Sequence, residues 1–145
     1  MKITIYPILL LIFMIFFMNI GSTTAYCELI IIVNKNVNLE TIAPSTVSNI
    51  YFGKKTKWPD GQAIHVVMLK KGKTHETFVN EILQSTPSRL KSYWKKVVFT
   101  GVGLRPRIFR EANDLITYIA QTKNTIGYID DSVSHEHVKV LELKQ

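Results

Sequence analysis

Five apolar residues in a row, Leu29-Ile30-Ile31-Ile32-Val33, limit most strongly what this chain can fold into. A strand with one wet face alternates apolar and polar side chains, whereas an unbroken β-branched run must be covered on both faces. The run ends at Asn34, so it reads as a short strand at the centre of a sheet. His65-Val66-Val67-Met68-Leu69 repeats the pattern after a Trp58-Pro59-Asp60-Gly61 turn. Thr125 to Ile129 and Val138 to Leu143 supply two late strands.

Helical patterns fill the intervals. Pro44 and Ser45 open one in which Val47, Ile50 and Tyr51 share a face, with Gly53 as its stop. Thr74 is the expected N-cap of a second, burying Phe78, Val79, Ile82 and Leu83. Thr86-Pro87 opens a third, where Leu90, Tyr93, Trp94, Val97 and Val98 form the cleanest amphipathic stripe in the chain, expected to be core. Thr100 to Arg107, with two glycines and a proline, reads as a loop, and Asn113 as the cap of a last helix carrying Leu115, Tyr118 and Ile119. The order β-α-β-α-α-α-β-β predicts an α/β domain with a mixed, mostly parallel sheet flanked by helices.

Lys2 and the apolar run Ile8 to Met18, followed by Thr23-Thr24-Ala25, have the build of an export signal, with cleavage expected after Ala25. Pro7 and Asn19 weigh against an uncleaved membrane anchor. Residues 26–145 are then one domain's worth of chain, with one core and no room for a second lobe. Cys27, the single cysteine, has no partner for an internal disulfide. The net charge is +7, and losing Lys2 leaves 17 basic against 11 acidic side chains, which favours anionic partners. An exported chain rarely meets nucleic acid, so Lys70-Lys71 and Lys95-Lys96 read as solvated faces rather than a nucleic-acid surface.

Ile50-Tyr51-Phe52-Gly53-Lys54, Trp58, Asp60-Gly61, then Thr74 and Phe78 on a helix start, resemble a stretch of the phosphate ABC transporter substrate-binding proteins. Trp94, Phe99-Thr100-Gly101 and Ile126-Gly127-Tyr128-Ile129 fit a short, single-domain branch of that family, so the likeness runs from about Leu29 to Ile129. It implies a single lobe of the type II periplasmic-binding-protein-like fold, a periplasmic location, a small anion such as phosphate as ligand, and a membrane permease as partner. Full-length relatives grip phosphate partly with Arg-x-x-x-Ser-Gly-Thr before a helix. At the matched positions this chain has Met68, Gly72 and Lys73, and only Thr74 survives. Without the bidentate arginine, the resemblance implies a weak anion site rather than a tight one.

The expected contacts are Thr74 and Lys73 with Thr77 one turn in, Ser45 and Thr46 at the first helix start, and Arg105 in the glycine-proline loop. Helix N-termini offer free N–H groups to anions, and in open α/β sheets they gather at the carboxyl ends of strands. The alternative is an exported interaction protein that keeps the lobe without the solute and docks on another exported protein or on anionic lipid. A single lobe cannot close over a ligand, so a homodimer partner could supply the other wall. His135-Glu136-His137 lacks the further ligands of a zinc site. No nucleophile elbow, catalytic triad spacing or phosphate-cradling Gly-Lys-Ser/Thr motif occurs, so the reading is of a binding protein without cofactor or enzymatic activity.

Overall fold

The computed structural model describes residues 28–101, 103 and 105–144, so the leader, its cleavage point and Cys27 lie outside the described residues. The strands are β1 (Leu29–Val33), β2 (Thr41–Ile42), β3 (His65–Leu69), β4 (Arg107–Phe109), β5 (Thr125–Asp130) and β6 (Lys139–Leu143). The helices are α1 (Pro44–Tyr51), α2 (Lys73–Thr77), α3 (Pro87–Thr100) and α4 (Ala112–Gln121).

The strands form one sheet in the order β2-β6-β1-β5-β3-β4, with β1 third from one edge, as its apolar run demands. β1 is antiparallel to both neighbours, Ile31 lying opposite Tyr128 on β5 and Leu141 on β6. The other three pairings are parallel. Five strands therefore point one way, and the turns leaving β2, β3 and β4 all emerge from the same end of the sheet.

Side chains on β5 alternate between two helical layers. Tyr128 faces one: its ring stacks on Phe78 at 3.7 Å and lies 5.9 Å from Tyr51 of α1. Gly127 faces the other, where α4 comes so close that an added Cβ would stand 2.6 Å from Ile119 Cδ1 and about 3 Å from Val67 and Leu115. The core thus fills both faces, with Ile31, Ile32, Val33, Val47, Tyr51, Phe78, Leu115, Ile119, Ile126 and Ile129 all fully enclosed.

The amino end of the parallel strands is knitted by asparagines. Asn34 Nδ2 donates to the Ile119 and Ala120 carbonyls, satisfying the last turn of α4. Asn36 Oδ1 accepts from the Asn124 N–H, and Asn36 Nδ2 donates to Asn124 Oδ1. Asn124 is left-handed (φ 61°), a conformation asparagine tolerates, and its carbonyl accepts from Trp58 Nε1 and the His65 N–H.

Six local expectations need correction. Thr41–Ile42 and Arg107–Phe109 are strands, too short and too close to proline or glycine to show a period. Thr74 does not cap α2: the N-cap position falls two residues earlier, on Gly72, whose φ of 111° suits glycine, and Thr74 lies in the first turn. Asn113 is likewise inside α4, whose N-cap position is Glu111. The second helix changes character midway, α2 running into a π-helical turn at Phe78–Ile82 that is closed by the Leu83 N–H on the Phe78 carbonyl. Finally, α3 does begin at a Thr86 cap, whose Oγ1 accepts from the Arg89 N–H, but only Leu90 of its stripe is buried. Val98 is 48% and Phe99 93% exposed. The helix packs on the π-helical turn and, through Tyr93 and Trp94, on Phe52 and Gly53 after α1, while its last apolar residues, Val98 and Phe99, have no cover among the described residues.

Candidate functional site

The open face of α3 is one wall of a groove of about 640 Å³. Pro87, Ser88, Leu90, Lys91, Trp94, Lys95, Val98 and Phe99 follow one another at three- and four-residue steps, so a single face of the helix lines its whole length. Opposite stand the end of β3 with the turn after it, from Met68 to Lys71, and the approach to β4, with Arg105, Pro106 and Ile108. β3 positions the floor because Met68 and Leu69 are its last, buried residues; Gly72 then turns the chain into α2, placing Lys70 and Lys71 on the rim.

The groove is apolar below and cationic above. Lys70, Lys71, Lys91, Lys95 and Arg105 line it against one acid, Glu76. The three ion pairs among the described residues lie elsewhere, at His135–Asp131, Lys139–Glu40 and Lys144–Glu142, so these five cations are uncommitted. Ile108 is 52% exposed, so three of the four large exposed hydrophobic residues among those described, with Val98 and Phe99, belong to this one surface. Grouped exposed apolar residues mark contact surfaces where scattered ones do not.

His75 is the polar residue set deepest in the groove, 7% exposed. The Tyr128 hydroxyl accepts from the Leu69 N–H at 3.1 Å and shares a second hydrogen bond with His75 Nδ1 at 2.6 Å. Burial pushes the His75 pKa below its ordinary value, against a smaller opposing pull from Glu76. Burial likewise raises the Tyr128 and Tyr51 hydroxyls, so the cluster is neutral at physiological pH. Tyr51 completes it by donating to the Val67 carbonyl at 2.9 Å.

Of the residues expected from sequence to contact an anion, Arg105 lines the groove. Lys73, exposed, and Thr74, half-buried, open α2 immediately beyond Lys70 and Lys71, and Thr77 is half-buried at the end of that helix. Ser45 and Thr46 begin α1 at the same end of the sheet, but they follow β2, four strand places from β3, and do not line the groove. The groove lining therefore unites Arg105 with Lys70 and Lys71 and leaves the α1 start apart. Sequence reasoning read Lys95 only as a solvated face and gave Lys91 and Ile108 no role; the structure brings all three to this groove. The signal available was Val98-Phe99, too apolar for a helix end that is followed directly by a glycine turn. Elsewhere, His135 directs Nδ1 to the Val133 carbonyl, and the described residues hold no group of three metal-ligating side chains.

No family model and no curated protein sequence matches the chain. Solved structures do. A phosphate ABC transporter substrate-binding protein from Clostridium perfringens, with bound phosphate, matches at a TM-score of 0.63 and 21% identity, over 79% of this chain and 44% of that one. PstS from Borrelia burgdorferi matches at 0.61 and 14%, over 81% and 47%. A phosphate transport receptor from Vibrio cholerae matches at 0.53 and 16%, over 78% and 44%. These likenesses show the fold. The described residues fold as one lobe of the kind these structures carry, and the chain spans less than half the length of the structures it matches. Among the described residues, no helix is long and apolar enough to cross a membrane.

Proposed function

We propose that the protein is an exported solute-binding-type lobe, freed of residues 1–25, that recognises a small anion weakly at the carboxyl-end rim. The observation that carries this reading is the meeting of Arg105 with Lys70 and Lys71 over one groove, none of them in an ion pair among the described residues. Lys73, Thr74 and Thr77 add a charge and hydroxyls beside them on α2, with Ser45 and Thr46 as more distant contributors from α1. Exposed lysines hold an anion as point charges in water, so the expected affinity is weak and falls with salt. Phosphate is the first solute to try because the Clostridium perfringens neighbour holds one. A permease would be the partner if the lobe serves transport.

Calorimetric titration with phosphate, sulfate and acetate should give saturable heat with at least one of them, and the Arg105→Ala/Lys71→Ala double variant should lose it. A folded sample that gives no heat with any of the three would rule the reading out. The exposed Val98, Phe99 and Ile108 favour a second reading, in which the lobe docks on another macromolecule and needs no solute.

A further inference from the structure

We infer that the groove beside α3 receives an amphipathic helix with acidic flanks from another protein. The inference deepens the docking reading and rests on it, not on the anion reading.

Three features select this occupant. The first is length: the lining face of α3 runs from Pro87 to Phe99, about 18 Å at the helical rise, which matches a partner helix of about 12 residues. The second is the floor. Leu90, Trp94 and Val98 on one side and Met68, Leu69 and Ile108 on the other form a continuous apolar trough, the kind of surface that takes residues at i, i+3, i+4 and i+7. The third is the placement of charge. Lys91 and Lys95 stand on the α3 side, Lys70, Lys71 and Arg105 on the opposite side, and none is in an ion pair among the described residues. A ligand with one anionic head would use one cluster; cations on both walls match a rod with acids along both edges.

A second copy of this chain fits poorly. A two-fold pairing through the groove would set these five uncommitted cations against themselves. Phe99, at 93% exposure and at the mouth of the groove, is the side chain with most to gain from cover.

The test uses the protein purified after export, in the form the cell leaves it, and a fluorescent helix-forming peptide of about 14 residues with leucines on one face and glutamates on both flanks. Anisotropy should rise to saturation. The affinity should fall about tenfold or more with Phe99→Glu and again with Lys91→Glu/Lys95→Glu, exposed positions whose change leaves the fold intact, and should weaken in high salt. Lys144→Glu, remote from the groove, should leave it unchanged, and a lysine-flanked analogue should not bind. Equal binding of both peptides, or no binding of the acidic one, overturns the inference. So does capture by phosphatidylserine vesicles with the peptide inert, which makes a lipid surface the partner, or a concentration-dependent dimer abolished by Phe99→Glu, which makes it a second copy. Phosphate titration of the same sample is scored separately: heat from phosphate with an inert peptide defeats this inference and leaves the anion reading standing.

Discussion

Helices α3 and α4 are both amphipathic, yet the chain treats them in opposite ways. α4 buries Leu115, Ile116 and Ile119 and comes near enough to the sheet that only glycine fits at 127. α3 has the cleaner stripe in sequence, but it buries Leu90 alone and leaves Val98 and Phe99 in water. An apolar stripe states that a helix needs a cover; it does not state that the same chain provides it. The difference separates a helix that holds the fold together from one that offers a surface.

The sharpest way to break this contrast is to truncate one apolar residue on each helix. Ile119→Ala should cost about 2–5 kcal/mol in urea unfolding, because the cavity opens among Gly127, Leu115 and Val67. Phe99→Ala should stay within about 0.5 kcal/mol. A comparable loss from both would mean that α3 is as much core as α4. Next in size is the α3 cap: Thr86→Ala removes the acceptor for the Arg89 N–H and should cost about 1 kcal/mol, and a neutral result would show that the start of α3 is not held by its cap.

The smallest expected effect is the dependence on pH. The folded His75 pKa lies below its unfolded value of 6.5, so the unfolded chain binds more protons in acid. His75 therefore leaves stability intact above about pH 6.5 and erodes it as the pH falls below, toward the folded pKa. The melting temperature should drop between pH 7 and pH 5, and His75→Gln should flatten that slope. An unchanged slope would place the acid sensitivity elsewhere.

The sheet was legible because a run such as Leu29–Val33 has one physical solution, burial on both faces. Thr86 was legible as a cap because threonine before proline meets two requirements of a helix start at once. Thr74 was not, because glycine at Gly72 could take a φ closed to other residues and start α2 earlier. The site was legible only in fragments. Arg105, Lys70 and Lys71 carry charges any reader would mark, but their meeting with Lys91 and Lys95 is a fact of topology: β4 pairs beside β3, and no local pattern announces a three-residue edge strand.

The asparagine knit at the other end of the sheet has its own consequence for how such a lobe can change over generations. Asn34, Asn36 and Asn124 tie one side chain to the main chain of the next, so an inserted or deleted residue there would unmake several hydrogen bonds together. Among the described residues, the turns leaving the carboxyl ends of β2, β3 and β4 hold fewer such ties, chiefly the Leu69–Tyr128–His75 hydrogen bonds and the Lys70 N–H on the Phe109 carbonyl, and can lengthen between them at lower cost. Length variation should accumulate on one side of the molecule, leaving the asparagine end as the fixed datum from which diverging copies are still superimposable.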